Sequence, residues 1–392
     1  MNRTATNYGF LRARLAWRDV TGRRRPVGSR EEHLRGAMEW LCRAHDAGGD
    51  GGVSRSYVLR YSRAHARIGW LASYPETTGY IIPTFYDYAA LAKDDSYRSR
   101  AEAMARWEAA VQMPSGAVQG GVIAFAPVPA IFNTGQVLFG WARSHRETGD
   151  PLFLEAARKA CDFLVEAQDP DGAWRRHGST FARPGVNLYD ARTAWGLLEG
   201  FGVTGDSRHR DAVVRNLDYV LSRQRPNGWY EECCLDDNDR PLLHTIAYTM
   251  EGLLESGRVL GDTRYVEAAR RAADALLGLQ RRDGGLAGRF DAEWRPSARW
   301  SCVTGDAQTA IVWLRLHEIT GERRYLEAAR RLNRFVASTQ DLVHPDGGVR
   351  GGIQGSDPIY GEYGTWEYLN WAAKFYADAL IHEIRLAPGD SW

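Results

Sequence analysis

The sequence TGDPLFLEAARKACDFLVEAQDPDGAW at residues 148–174 recurs along the chain and determines its architecture. Related segments begin at Glu31, Asp94, Thr204, Leu260 and Thr320, of which the first is the most degenerate. The later copies each contain a glutamine after the same hydrophobic pattern, at Gln112, Gln168, Gln224, Gln280 and Gln340. These glutamines are 56, 56, 56 and 60 residues apart. Self-similarity at a fixed period of this length is typical of a helical repeat protein.

Each repeat contains two predicted helices. In the copy at residues 260–286, apolar residues recur at i, i+3, i+4 and i+7 with arginine and glutamate between them, which predicts an amphipathic helix. The PDG, PNG and RDG segments that follow the glutamines are typical of turns. Second helices, poorer in charge, are predicted at 76–92, 131–147, 188–202, 243–259, 302–319 and 364–386. Such helices are expected to be covered on all sides.

Six helix pairs favour a closed ring over an open array. An open array needs polar capping repeats at its ends, whereas the C-terminal unit TWEYLNWAAKFYADALIHE is rich in aromatic residues. The sequence therefore predicts an all-α fold, an (α/α)6 toroid of six helical hairpins over residues 31–392, and an open array is the alternative. Residues 1–30 lie outside the repeat and are predicted to form an N-terminal extension that packs on the ring.

Composition excludes several classes of function. The 392 residues include 50 basic and 49 acidic side chains, so the net charge of +1 offers no basic excess for nucleic acid. No apolar run is long enough to span a membrane, and the first residues do not resemble a signal peptide. Five cysteines without metal-site spacing favour a reduced, cytoplasmic protein. We expect a small-molecule or oligosaccharide substrate and no cofactor, and the oligomeric state is left open.

The repeat also predicts where a site would lie. If the outer helices run down and the inner helices run back, every long loop and every inner-helix N-terminus collects at one mouth of the ring. Helix N-termini present unsatisfied N–H groups and a positive dipole end, and ligand pockets favour such concave places. Small residues recur at these starts, at Gly79, Gly135, Ala191, Ala247 and Gly305, where inner helices are expected to approach closely.

Polar residues near the inner-helix starts are the site candidates, because burying them costs free energy unless they are paired. The predicted catalytic residues are His244, Tyr248, Asp190, Glu76 and Asp306. The predicted substrate-binding residues are Arg192, Asn133, Gln136, Tyr189, Gln308, Trp195, Trp366, Glu367, Asn370 and Lys374. His244 and Tyr248 are four residues apart on one helix face and could act as general base and acid. Arg192 could clamp a substrate carboxylate.

Structural roles are the alternatives for these residues. Asp190 and Arg192 could form ion pairs with neighbours, and Asn133 could cap its helix. No metal site is predicted, since Cys302 with Asp306 and His244 matches no recurrent zinc spacing. The acidic loop EECCLDDNDR at residues 231–240 could bind Mg²⁺ and a diphosphate, although a solvated turn is the simpler interpretation.

Two motifs carry a family resemblance. QDPDGAW at residues 168–174 and QRPNGW at residues 224–229 resemble the glutamine–tryptophan motif of terpenoid cyclases and protein prenyltransferases. The whole region 30–386 resembles that superfamily and the six-hairpin glycosidases, which share the toroid. The segments SYPETTGYIIP, HTIAYTMEGLLE and NWAAKFYADAL are similar to bacterial proteins described as squalene-oxidase/prenyltransferase repeat proteins and associated with polysaccharide or glycoside biosynthesis.

Departures from these families shape the functional expectation. The loop LDDND lacks the Asp-x-Asp-Asp spacing of squalene-type cyclases, and only His244 matches the histidine pair of N-acylglucosamine 2-epimerase-like proteins. Unsaturated-uronyl hydrolases use inner-helix acids, which Asp190, Asp306 or Glu76 could supply. We therefore expect a biosynthetic, carbohydrate-active enzyme that hydrolyses, eliminates or epimerises a uronate- or amino-sugar-containing saccharide. The alternatives are a single-barrel terpenoid cyclase, with Asp306 or Asp236 as its acid, and a non-catalytic binding toroid.

Overall fold

A computed structural model describes residues 7–22, 27–390 and 392. Residues 1–6 and 23–26 of the predicted N-terminal extension lie outside the described part of the chain. The α-helices are α1 (Tyr8–Thr21), α2 (Arg30–Gly48), α3 (Pro75–Ala92), α4 (Asp95–Val111), α5 (Ile131–Thr148), α6 (Pro151–Ala167), α7 (Ala191–Thr204), α8 (Ser207–Ser222), α9 (Leu243–Leu260), α10 (Thr263–Leu277), α11 (Val303–Thr320), α12 (Arg323–Thr339) and α13 (Asn370–Leu386). The strands are β1 (Ser56–Ser62), β2 (Arg67–Trp70), β3 (Ser301–Cys302), β4 (Ser356–Asp357) and β5 (Glu367–Leu369).

The helices form two concentric rings. The inner ring consists of α3, α5, α7, α9, α11 and α13, each of which contacts the next, and α13 returns to contact α3. Each inner helix packs on the outer helix that follows it, and α13 packs on α2 from the other end of the chain. The ring is therefore closed, as predicted, and the (α/α)6 fold is confirmed.

The repeated glutamines explain the period of the sequence. The side-chain amide of Gln168 donates to the carbonyl of Gly172 in its own turn at 3.1 Å and to the carbonyl of Ala212 on the next outer helix at 2.9 Å. Gln112, Gln224 and Gln280 make the same two bonds in their repeats. Gln340 donates to the carbonyl of His33 on α2, so the last repeat is bonded to the first.

The recurring small residues lie where inner helices touch, as predicted. A Cβ atom on Gly79 would stand 2.5 Å from the Cα of Val137 on α5, and one on Gly135 would stand 2.7 Å from the Cα of Thr193 on α7. Both distances are shorter than real Cβ contacts, so glycine is required for the observed spacing of α3, α5 and α7.

Two inner-helix starts differ from the prediction. The third is a 3₁₀ turn at Leu188–Asp190 that leads into α7. The sixth helix begins at Asn370 rather than at residue 364, because residues 367–369 form β5, which pairs with β1. Hydrophobic periodicity cannot distinguish a short buried strand from the first turn of a buried helix. The sheet order β2-β1-β5 links the first and last repeats.

The first helix packs outside the rings. Leu11 and Leu15 of α1 are buried against the core, and the Tyr8 and Tyr57 hydroxyls are hydrogen-bonded at 3.1 Å. Among the described residues, no helix is both long enough and apolar enough to cross a membrane.

Candidate active site

A cavity of about 250 Å³ opens at the mouth where the inner helices begin. Its lining is mainly aromatic, with one carboxyl, one guanidinium and one imidazole among the described residues that form it. The lining residues are Arg55, Tyr74, Glu76, Tyr80, Phe132, Ser179, Phe181, Tyr189, Leu235, His244, Thr245, Tyr248, Tyr363, Gly364 and Trp371. Concave apolar sites with a few convergent polar groups are the usual form of ligand pockets.

Glu76 is the carboxyl of this cavity. It lies in the first turn of α3, is 9% exposed, and accepts a hydrogen bond of 2.5 Å from the hydroxyl of Tyr74. Burial raises the pKa of Glu76 to about 7, although Tyr74 and Arg55 favour its charged form. A carboxyl group with this pKa holds a proton near neutral pH and can transfer it to a bound ligand.

Arg55 reaches the cavity from the segment before β1. Its guanidinium donates to the Glu367 carboxylate at 2.8 Å and stacks 5.0 Å from the centre of the Trp371 ring. The β1–β5 pairing brings these residues together, since Val58 lies opposite Glu367. The Nε atom of Arg55 has no hydrogen-bond partner. Arg55 therefore places a guanidinium, paired with Glu367, in the cavity wall.

His244 is a neutral hydrogen-bonding group rather than a strong base. It is the second residue of α9, and its Nδ1 donates to the side-chain oxygen of Gln308 at 2.6 Å, which leaves Nε2 as an acceptor. Burial lowers the pKa of His244 to about 3. The Tyr248 ring lies 4.3 Å from the imidazole, as their spacing predicted, and burial raises the pKa of Tyr248 well above its usual value. This pair can position a ligand, and the lowered pKa makes His244 a weaker base than an exposed histidine.

Aromatic rings form the walls of the cavity. Phe132 packs edge-on against Tyr189 at 5.2 Å and lies 5.0 Å from Tyr248. The indole N–H of Trp371 donates to the Tyr363 hydroxyl at 2.9 Å. The hydroxyl of Tyr189 has no hydrogen-bond partner. The walls thus combine ring faces with polar edges.

Four sequence-predicted residues line the cavity, namely Glu76, Tyr189, His244 and Tyr248. Most of the others serve the framework beside it. Asp190 accepts a bond from the Thr193 hydroxyl at 2.9 Å, and Asp306 accepts one from the backbone N–H of Leu286 at 3.0 Å. Burial raises the pKa of Asp190 to about 7, but its carboxyl does not line the cavity.

The remaining predicted side chains of this group are also bound within the framework. Asn133 donates to the Gln119 carbonyl at 3.0 Å, and Asn370 donates to the Thr77 hydroxyl at 2.7 Å. The side-chain oxygen of Gln136 accepts a hydrogen bond from the Arg192 guanidinium, and that of Gln308 accepts one from the His244 imidazole. Glu367 lies on β5 and pairs with Arg55, and Trp366, the residue before it, is not part of the cavity lining either.

Three predicted substrate-binding residues lie at the opposite mouth. Arg192, Trp195 and Lys374 line a second, charged cavity of about 370 Å³ near the inner-helix C-termini, and Tyr80 lines both cavities. The Arg192 guanidinium donates to Glu251 and to Gln136, and Lys374 pairs with Asp378 at 2.7 Å. Arg192 is the second residue of α7, and its position at the helix start did not indicate that its side chain would line this cavity.

Several cavity residues were absent from the sequence prediction. Tyr74, Phe132 and Tyr363 lie in the inner-helix start segments and could have been found by extending the candidate set to aromatic residues there. Trp371 is one residue after Asn370 on α13. Arg55 and Phe181 lie in non-repeated segments, and no pattern in the sequence identifies them.

Potential metal ligands lie away from the cavity. Among the described residues, one group of three candidate ligands is close enough for an ion, formed by Asp162, Asp206 and His209 at the outer surface. Arg208 donates to both carboxylates, at 3.0 and 2.6 Å, so they are already neutralised. In the acidic loop, Asp236 pairs with Arg289 at 2.7 Å. Neither arrangement resembles an open cation site.

Sequence comparisons relate part of the chain to cyclases. Residues 90–254, less than half of the chain, match the squalene-hopene cyclase C-terminal domain. A segment of 89 residues is 30% identical to drimenyl diphosphate synthase from Streptantibioticus cattleyicolor. That segment is 23% of this chain and spans only 15% of the length of the synthase.

Structure comparisons extend over nearly the whole chain. An unsaturated glucuronyl hydrolase specific for heparin superposes with a TM-score of 0.72 at 16% identity, covering 91% of this chain and 97% of the hydrolase. The unsaturated glucuronyl hydrolase of Bacillus sp. GL1 superposes with a TM-score of 0.71 at 17% identity, and the match covers 92% of this chain and 97% of that hydrolase. The chain thus has the (α/α)6 toroid fold of these hydrolases and resembles the terpenoid-cyclase repeat proteins in sequence.

Proposed function

We propose that this protein is a carbohydrate-active enzyme that protonates the double bond of an unsaturated uronyl group at the end of a saccharide. Glu76 is the acid in this proposal. The observation that carries it is the chemistry of the cavity, in which Glu76 is the one carboxyl among the described lining residues and has a pKa of about 7. A group that must donate a proton at neutral pH works best with a pKa near 7.

The single carboxyl argues against ordinary glycoside hydrolysis. That reaction usually needs two carboxyl groups about 5–10 Å apart across the scissile bond. The other acids predicted from the sequence, Asp190 and Asp306, are bonded within the framework and do not reach the cavity. An unsaturated uronyl group is an enol ether, and protonation of an enol ether needs one acid only.

The reaction can be followed atom by atom. The proton passes from Glu76 to C4 of the sugar, and the positive charge left at C5 is shared with the ring oxygen. A water molecule adds at C5 and loses its proton to the Glu76 carboxylate. The hemiketal opens to a ketone at C5, which leaves the former ring oxygen as a hydroxyl on C1. The hemiacetal at C1 then collapses to an aldehyde, the C1–O bond to the neighbouring sugar breaks, and the hydroxyl proton passes to the departing sugar oxygen. The net reaction is hydrolysis, one of the three that the sequence favoured.

The walls of the cavity suit such a substrate. Ring faces of Trp371 and Tyr363 can pack on a sugar ring, while the free Tyr189 hydroxyl and the His244 Nε2 can bind its hydroxyls. The guanidinium of Arg55, which is part of the lining, can bind the uronate carboxylate. The solved neighbours of similar length are described as acting on unsaturated glucuronyl saccharides, which supports the same substrate class.

The test is turnover of unsaturated uronyl disaccharides, followed by the loss of ultraviolet absorbance of the conjugated double bond. Glu76→Gln keeps the shape of the side chain but removes the transferable proton, and should lower kcat about 10²–10⁴-fold. Asp190→Asn is the matched control, because Asp190 is also a buried carboxyl with a pKa of about 7 but lies outside the cavity. Full activity of Glu76→Gln would exclude Glu76 as the acid.

A cyclase acting on an isoprenoid is the second candidate, favoured by the match of residues 90–254 and by the aromatic lining. Protonation of an alkene also needs a single acid, and aromatic faces stabilise a carbocation. The two candidate functions are distinguished by incubating the protein with unsaturated disaccharides in one series of reactions and with squalene or prenyl diphosphates in another. Products from the second series alone would overturn the carbohydrate proposal. Binding without turnover in both series would favour the non-catalytic toroid.

A further inference from the structure

An apolar row runs along the outer face of α1. Phe10, Trp17 and Val20 are 69%, 62% and 66% exposed, and Ala13 between them is also exposed. Their spacing of i, i+3, i+7 and i+10 places them on one side of the helix. Large apolar side chains are exposed singly on most proteins, but a row of this length is unusual.

The helix is held in this orientation by contacts on its other face. Leu11 and Leu15 are buried, and the buried Asp19 carboxylate accepts the backbone N–H of Ile359 at 2.9 Å. The Arg18 guanidinium donates to the side-chain oxygen of Gln354 at 2.8 Å. The outward position of Phe10 and Trp17 therefore follows from specific contacts of the opposite face.

The same segment concentrates positive charge. By sequence, residues 1–25 contain seven arginines and one acidic residue, a net charge of +6 in a chain whose total is +1. The other 367 residues therefore carry a net charge of −5. Arg14 is exposed on α1 next to the apolar row. A basic helix with one apolar face is typical of segments that bind anionic lipid surfaces.

We propose that α1 is a docking surface for an anionic lipid bilayer. Phe10, Trp17 and Val20 enter the interface between headgroups and acyl chains, and Arg12 and Arg14 of the same helix contact lipid phosphates and carboxylates. A lipid surface fits better than a protein partner, because a stable protein interface buries about 800 Å² on each side with some 20–30 residues. A short convex row of three large side chains is smaller than that but suffices for an interfacial helix.

Cosedimentation of the full-length protein with vesicles tests this proposal. Vesicles of phosphatidylcholine and phosphatidylserine in equal parts should retain the protein at low salt, whereas vesicles of phosphatidylcholine alone should retain much less. High salt should release the protein, because the charge contribution is screened. The combined Phe10→Ser, Trp17→Ser and Val20→Ser variant should bind at least about tenfold more weakly, since most of the inserted apolar area is lost.

Two further variants show whether binding is specific to α1 and its arginines. Leu152→Ser with Val259→Ser removes exposed apolar side chains, 41% and 51% exposed, from other helices and should leave vesicle binding unchanged. Arg12→Gln with Arg14→Gln should weaken binding to the anionic vesicles alone. Circular dichroism of each variant checks that the toroid remains folded.

The results that would overturn the proposal are specific. Wild-type protein that stays in the supernatant with anionic vesicles contradicts it, as does equal binding by the α1 triple variant. If instead the wild type is a dimer without vesicles and the triple variant is a monomer, the row is a contact between two copies of this chain.

Discussion

The two mouths of the ring are built from the same six helices but differ in chemistry. The mouth at the inner-helix N-termini holds an aromatic cavity with Glu76 as its carboxyl. The mouth at the C-termini holds a larger cavity lined by arginines and acids that pair with one another, such as Arg315 with Glu255 at 2.6 Å. A carboxyl group that donates its proton to a ligand must not be held in its charged form by a strong cationic partner. The charged groups of the second mouth, in contrast, are held in their charged forms by ion pairs with one another. This difference supports our proposal that the chemistry takes place at the first mouth and that the second mouth is framework.

The loops at the two mouths differ in the same sense. At the second mouth, inner and outer helices are joined by short turns with left-handed glycines, such as Gly149 and Gly205. At the first mouth, long segments such as 112–130 and 168–187 connect outer to inner helices and supply residues including Phe181. Functional variation is concentrated in such loops on a rigid scaffold. The repeated inner helices therefore supply the scaffold and side chains such as Glu76 and His244, and the long connecting segments add residues such as Phe181.

The largest expected effect concerns Arg192, whose side chain lines the charged cavity of the second mouth. Its guanidinium donates to Glu251 and Gln136 and lies 5.1 Å from the Phe375 ring centre. Arg192→Ala leaves a cavity and an unpaired Glu251, and should lower the free energy of unfolding by about 3–5 kcal/mol, measured by denaturant titration. If the variant instead retained full stability and lost substrate binding, Arg192 would belong to the site, and the separation of the mouths would be wrong.

The glutamine motif should give the next largest effect. Gln224 donates to the carbonyls of Gly228 and Ala268 at 3.0 and 2.8 Å, and it anchors the loop that carries Leu235 to the cavity. Gln224→Ala leaves both carbonyls without this donor and should cost about 1–3 kcal/mol of unfolding free energy. Gln224→Glu retains the size of the side chain but not the donor, and should be similarly destabilised. A stable alanine variant would show that the motif is not needed for closure.

The pH dependence of activity gives a smaller but more diagnostic signal. Because the pKa of Glu76 is raised to about 7, the protonated acid is dominant below that pH, and its fraction falls tenfold for each pH unit above it. We expect kcat/KM to fall with a slope of −1 above about pH 7. The raised pKa also means that the stabilisation linked to Glu76 is present at low pH and is lost as the pH rises through 7.

The assignment of this descending limb can be checked by substitution. Asp190 has a similar pKa, so the limb should persist in Asp190→Asn. His244, with its pKa lowered to about 3, should contribute nothing between pH 5 and 8. If the fall in kcat/KM above pH 7 disappeared in Asp190→Asn, Asp190 rather than Glu76 would be the acid.

How far the sequence predicts each part depends on the range of the interactions involved. The fold was predictable because every repeat carries its own glutamine, turn and helix period, and these are local signals. Glu76 and His244 were predictable because the repeat superposes the inner-helix starts. Arg55 was not, since its place depends on strand pairing between residues 56–58 and 367–369 at opposite ends of the chain. Arg192 was assigned to the wrong mouth because a repeat fixes the helix but not the direction of a long side chain.

The smallest expected effect lies at the rim of the second mouth. Arg146 is 43% exposed and pairs with Glu199 at 2.6 Å. Exposed ion pairs contribute little, so Arg146→Ala should change the free energy of unfolding by less than about 1 kcal/mol and leave kcat and KM unaltered. Denaturant titration and the disaccharide assay measure the two quantities on the same preparation. A change in KM would mean that the charged cavity binds substrate, and the two mouths would then form one continuous site along the axis of the ring.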